Sequence, residues 1–130
     1  MSDQALSVIV VDDQAPFRTA ARAVIRRSEG FELVGEAENG VLAVELASQV
    51  HPDVVLMDIN MPEMGGIEAT RRIVEEQPET FVILCSTYEI NDLPPEASTS
   101  GARAYVNKEK LGAKTLRRLW DQRGEVEFAS

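Results

Sequence analysis

Short continuous apolar runs alternate along this chain with stretches whose apolar residues return every three or four positions. The strongest run is Val54-Val55-Leu56-Met57, and it ends on Asp58. A run of that kind predicts a strand buried on both faces, and Pro62 with Gly65-Gly66 then predicts a tight turn. Upstream, residues 7–11 predict a first strand ending in Asp12-Asp13, and residues 31–37 a second. Between them Pro16 suits the first turn of a helix, with Phe17, Ala21, Val24 and Ile25 at helical spacing until Gly30. After the Asn39-Gly40 turn, Leu42, Ala43, Leu46, Ala47 and Val50 form the stripe of another helix, which His51-Pro52 ends. Ile67, Thr70, Ile73 and Val74 predict a third helix stopping near Pro78. Residues 81–85 then predict a fourth strand closed by Ser86-Thr87. Residues 102–107 predict a fifth strand ending at Lys108, and Leu116, Leu119 and Trp120 mark a last helix. In residues 91–100 the alternation calls for a helix that Leu93-Pro94-Pro95 forbids across its first half, leaving at most a short one before Gly101.

Five β-α units with short connections predict an α/β fold, a five-stranded parallel sheet with helices on both faces. No repeat, low-complexity stretch or interior linker interrupts the pattern. One domain is therefore expected over residues 1–123, with 124–130 as a C-terminal tail.

Composition narrows the function classes. The 130 residues are 44% apolar and 27% charged, as in an ordinary water-soluble domain with a real core. No apolar run is long enough to span a membrane, and residues 1–6 lack the pattern of a secretory signal. The single cysteine, Cys85, cannot form an internal disulfide, so a cytoplasmic setting is expected. The net charge of −9 works against nonspecific attraction to nucleic acid or anionic lipid, and this chain alone is not expected to bind DNA.

The polar residues that follow the strands carry the candidate chemistry. Asp12 and Asp13 follow the first, Asp58 the third, Ser86 and Thr87 the fourth and Lys108 the fifth. In a parallel sheet these converge on one edge, where ligands bind in such folds. Two like charges about 4 Å apart cost roughly 4 kcal/mol at an effective dielectric near 20, so the cluster either raises a pKa or holds a cation. Oxygen-only ligands favour a hard ion such as Mg²⁺. A hydroxyl and an ammonium facing that ion suit the oxygens of a phosphoryl group, with Asp58 as the nucleophile that receives it. Of the adjacent hydroxyls, the spacing to Lys108 favours Ser86 over Thr87.

Val10-Val11-Asp12-Asp13, Asp58-Ile59-Asn60-Met61-Pro62-Glu63-Met64-Gly65-Gly66, Leu84-Cys85-Ser86 and Ala104-Tyr105-Val106-Asn107-Lys108 together resemble the CheY-like receiver domains of two-component response regulators. The resemblance covers roughly residues 7–122, with four motifs in family order. Gly35-Glu36-Ala37-Glu38-Asn39-Gly40 is similar to the NarL/LuxR-type receivers, which usually precede a helix-turn-helix output domain; no such domain is expected within these 130 residues. The resemblance implies a flavodoxin-like doubly wound (βα)5 fold and a phosphorelay role. Asp58 would accept the phosphoryl group from a sensor histidine kinase or phosphotransfer protein. Mg²⁺ would be held by Asp13, Asp58 and the Asn60 carbonyl, with Asp12 acting through water. Ser86 would bond the phosphoryl group, Lys108 would pair with it, and Tyr105 matches the aromatic position whose rotamer follows the hydroxyl residue. The product would be a phosphoprotein switch with a downstream protein partner, with Arg117, Arg118, Trp120 and Tyr105 marking the binding region and homodimerisation possible in the way of two-domain relatives.

Three departures from the family pattern stand out. Glu109, in place of proline, follows Lys108, so a trans bond is expected there. Pro94-Pro95 breaks the fourth helix, part of the face that usually reports phosphorylation, and Tyr88 is bulky at a position that tunes access and dephosphorylation. Competing readings are a receiver-like interaction module that is never phosphorylated, an Asp-nucleophile phosphatase and a flavin-binding protein. A haloacid-dehalogenase-like phosphatase needs a second Asp where Asn60 stands, and a flavin protein needs a phosphate-binding loop in place of the acidic strand ends. The plain expectations elsewhere are packing for Cys85 and Trp120, a structural role for His51 and a solvated face for Arg117-Arg118.

Overall fold

A computed structural model describes residues 5–124. Five strands, β1 (Leu6–Val11), β2 (Phe31–Ala37), β3 (Val54–Asp58), β4 (Phe81–Ser86) and β5 (Ala104–Asn107), form one all-parallel sheet in the order β2-β1-β3-β4-β5. Four α-helices accompany them: α1 (Ala15–Arg27), α2 (Gly40–Val50), α3 (Gly66–Glu76) and α4 (Ala113–Asp121). The arrangement is the flavodoxin-like α/β fold, and the strand order reverses between β1 and β3, where crevices open at the carboxyl ends. Residues 125–130 of the expected tail lie outside the described residues.

Alternation along each strand builds two cores. Ile9, Val11, Val55, Met57, Val82 and Leu84 face Ala43, Ala47, Ala69 and Ile73 of α2 and α3. Their strand neighbours Val8, Val10, Leu56, Ile83 and Cys85 face Ala21 and Ile25 of α1 and Leu116 and Leu119 of α4. Because helices cover both faces, β3 and β4 are buried throughout, which is why they read as unbroken apolar runs.

The β4–β5 connection has no α-helix. It holds two 3₁₀ segments, Ile90–Asp92 and Pro95–Thr99, each with extended backbone before it. Pro94 and Pro95 lack N–H donors, so an α-helical ladder cannot form across them; only Ala97 of the second segment is buried. The fifth strand starts at Ala104, two residues later than the apolar pattern suggests. Gly101 turns at φ +102, and the Ala102 N–H donates to Ser100 Oγ at 3.2 Å instead of joining the ladder.

His51 closes α2 in the left-handed region, exposed, as a structural cap. Trp120 packs edge-on against Phe81 with centroids 5.9 Å apart. Arg117 does more than face solvent: its guanidinium lies over the Phe31 ring at 4.9 Å and donates to the Glu29 carbonyl at 3.1 Å. Among the described residues no helix is long and apolar enough to cross a membrane, and no peptide bond is cis.

Candidate functional site

Register decides which side chains meet. Val11 pairs with Met57, Asp58 with Cys85, and Ser86 with Asn107, so Asp12, Asp58, Ser86 and Lys108 end neighbouring strands along one edge. The loop after Asp58 turns back sharply: the Gly66 N–H donates to the Ile59 carbonyl at 2.8 Å. A Cβ on Gly66 would stand 1.8 Å from the Asp58 carbonyl oxygen, so only glycine permits this approach.

The three carboxylates expected to converge do so. Asp12, Asp13 and Asp58 offer oxygens all within 4.8 Å of one another. Asp12 is fully buried, Asp58 nearly so, and Asp13 is exposed at the rim. Lys108 reaches across the sheet edge, its Nζ 2.6 Å from Asp12 Oδ2 and 3.3 Å from Asp58 Oδ1. Among the described residues Asp12 Oδ2 has no partner besides that ammonium, while Oδ1 accepts the Gln14 N–H at 2.9 Å. Burial, then the charge of Asp12, pushes the Asp58 carboxyl up to about 6 despite the opposing pull of Lys108. For Lys108 burial works downward, but its bond to Asp12 and the two nearby carboxylates outweigh it and raise the ammonium's pKa. The arrangement therefore has one cation for three acids, with oxygen-only donors, and it has the chemistry to take a hard divalent ion.

Ser86 stands behind this cluster, buried, and its hydroxyl is fully engaged. Its Oγ accepts the Tyr88 N–H at 3.1 Å and lies 3.0 Å from the Tyr105 hydroxyl. Tyr105 is turned inward, 9% exposed, its hydroxyl placed to donate its one proton to the carbonyl of Ser86 (3.0 Å) or of Tyr88. With the Tyr105 proton on a carbonyl, Ser86 Oγ–H donates to the tyrosine oxygen. Ser86 and Tyr105 are thus brought together, and neither is bonded to the acids in this form. Asn60 is exposed and its amide donates to the Tyr88 hydroxyl at 3.0 Å, bridging two loops at the rim. Thr87 is exposed. Cys85, beside Asp58 in the sheet, is wholly buried and its thiol is pushed up mainly by that burial, so it packs as an inert thiol.

Three contributors escape a sequence reading. Phe17 places its ring centroid 4.7 Å from Lys108 Nζ. Arg18 Nη1 donates to the Asp12 carbonyl at 2.7 Å. Asn107 Oδ1 accepts the Glu109 N–H at 2.9 Å and caps the short 3₁₀ turn Lys108–Lys110 that carries the lysine. In the sequence Phe17 reads only as part of the apolar stripe of α1, and nothing in local spacing marks it as a neighbour of Lys108.

Comparison with known proteins agrees with this geometry. The family model "Response regulator receiver domain" matches residues 8–119. The transcriptional regulatory protein YdfI of Bacillus subtilis is 39% identical over 121 residues, which are 92% of this chain and 56% of that protein. The chemotaxis protein CheY of Listeria monocytogenes is 37% identical over 88% of this chain and 95% of its own length. A crystal structure of a two-component response regulator of the LuxR family from Aurantimonas superposes with a TM-score of 0.84 at 28% identity, covering 95% of this chain and 89% of that one. The chain thus spans about half the length of the transcriptional regulators it matches and nearly all of the chemotaxis protein.

Proposed function

The chain belongs to the response regulator receiver domain family of two-component systems, and on that premise we propose that it is a phosphorylation-operated switch whose acceptor is Asp58. The observation that carries this reading is the convergence of Asp58 with Asp12, Asp13 and Lys108 at a single sheet edge. The donor is a phosphohistidine on a sensor histidine kinase or phosphotransfer protein in the cytoplasm. An Asp58 carboxylate oxygen forms the new bond to phosphorus as the P–N bond breaks, and the imidazole nitrogen keeps the electron pair. With its carboxyl near 6, Asp58 is largely ionised at neutral pH and can act as that nucleophile.

Asp13, Asp58 and the Asn60 carbonyl would hold Mg²⁺, with Asp12 acting through water. When bound, the ion supplies positive charge opposite the phosphoryl oxygens. Lys108 moves from Asp58 to a phosphoryl oxygen. Ser86 donates to another and must release Tyr105 to do so, which couples the buried chemistry to the surface beside β5. Moving a two-state equilibrium from 1:99 to 99:1 needs about 5.5 kcal/mol of differential interaction. A charge-assisted hydrogen bond and an ion pair in a half-dry site supply much of it. The output is altered binding of a protein partner, and the chain acts as a switch rather than as an enzyme with an external substrate.

The test is intact mass after incubation with acetyl phosphate and Mg²⁺, for the wild type and Asp58→Asn. A gain of one phosphoryl group in the wild type alone, abolished by chelator, is the expected result. Uptake by the variant places the acceptor elsewhere. No uptake by a folded, Mg²⁺-binding wild type overturns the reading in favour of a constitutive interaction module.

A further inference from the structure

Lys108 is held on three sides. Its ammonium has three N–H groups, and Asp12 and Asp58 oxygens at 2.6 and 3.3 Å take two directions. The Phe17 ring, with its centroid at 4.7 Å, covers a third, well inside the distance at which an aromatic face attracts a cation. The lysine side chain is only 14% exposed. The ring is also firmly placed. Pro16 fixes the first turn of α1, the Phe17 N–H donates to the Gln14 carbonyl at 3.1 Å, and Arg18 ties the same turn to the Asp12 carbonyl at 2.7 Å. Residues bonded to the Asp12 side thus carry the ring that covers the ammonium.

From this arrangement we infer that Phe17 is a positioning residue, whose ring face holds the Lys108 ammonium at Asp58 and keeps water from it. The inference rests on Asp58 being the phosphoryl acceptor. A lysine is a point charge on a flexible four-carbon stem, so an unrestrained Lys108 would lose rotamer freedom each time it engaged the incoming group. The ring removes that freedom beforehand, and orientation set in advance appears in the rate of the chemical step. Phe17 also packs against the core between the sheet and α1, so the purely structural alternative is that any apolar side chain there serves as well.

Phe17→Leu keeps an apolar side chain and removes the ring, and Phe17→Tyr keeps the ring. Initial rates of Asp58 phosphorylation are measured by intact mass against acetyl phosphate concentration at saturating Mg²⁺, with urea midpoints recorded for each variant. The Leu variant is expected to lose on the order of five-fold in limiting rate, with the half-saturating donor concentration unchanged, while the Tyr variant keeps the wild-type rate. A second readout is independent of phosphorylation. In lysine-labelled protein the Lys108 Hε resonances are ring-current shifted in the wild type and the Tyr variant, and return to ordinary lysine positions in the Leu variant. Equal rates in all three proteins, equal losses in both variants, or Lys108 resonances that do not move would each overturn the inference. If the wild type takes up no phosphoryl group, the Asp58 reading falls and the resonances alone decide whether Phe17 holds the lysine.

Discussion

Asp58 is the residue at which folding and function oppose each other. Its carboxyl stands near 6 in the folded chain against 3.8 for the unperturbed group, chiefly because it is buried and next because it lies beside Asp12. The folded state therefore binds more protons than the unfolded state between those values, and stability falls as pH rises through that window. The favourable contribution is complete below about pH 4 and gone above about pH 6. A difference of about two pH units corresponds to roughly 3 kcal/mol. In the presence of chelator, Asp58→Asn should therefore raise stability by up to about 3 kcal/mol at pH 7.5 and change it little at pH 4. Urea midpoints at the two pH values read this directly, and a variant no more stable than the wild type at pH 7.5 contradicts the assigned burial cost. The acceptor's ordinary charge is thus a strain on the apo domain, and either a bound cation or an added partner relieves it.

At the scale of elements, the loop between β3 and α3 sets where Asp58 points. The Gly66→Ala variant would drive a methyl group into the Asp58 carbonyl oxygen, 1.8 Å away, and against Met57 Cγ at 2.9 Å. Backbone must shift, so a loss of about 3 kcal/mol is expected, together with slower phosphorylation because the shifted carbonyl belongs to the acceptor itself. Normal stability with normal phosphorylation would mean that the turn does not position Asp58. This turn was legible in the sequence, as were the strands: continuous burial leaves an unbroken apolar run, and Pro62 with Gly65-Gly66 spells a reversal. The loss of an α-helix after β4 was legible too, because Pro94-Pro95 removes two donors whatever surrounds them. The inward rotamer of Tyr105, the Asn60–Tyr88 bridge and the Phe17 ring over Lys108 were not legible. Each joins residues far apart in the chain, and its geometry is set by packing between elements, which local periodicity does not encode.

Across the whole molecule the charge of −9 is unevenly placed. Helix α1 carries Arg18, Arg22, Arg26 and Arg27 with no acid, and α4 carries Lys114, Arg117 and Arg118 against Asp121 alone. The β4–β5 connection carries Glu89, Asp92 and Glu96 against Arg103 alone. A divalent ion therefore meets many surface carboxylates, and a Mg²⁺ effect on the protein is informative only if it can be traced to the site. Asp13 gives the handle, because it is exposed and joins the carboxylate cluster without an ion pair to Lys108. An ion that binds only the folded state stabilises it by about 1.4 kcal/mol at ten times its Kd, which should raise Tm by about 5 °C for a domain of this size. Asp13→Asn should leave Tm in chelator within about 2 °C of the wild type, as expected for an exposed position, and should remove most of the Mg²⁺-dependent rise. Asp12→Asn is the less clean choice, because it also takes away the carboxylate 2.6 Å from Lys108. A Mg²⁺-dependent rise of the same size in Asp13→Asn would assign the ion to the acidic surface, and Asp58 would then have to act without it.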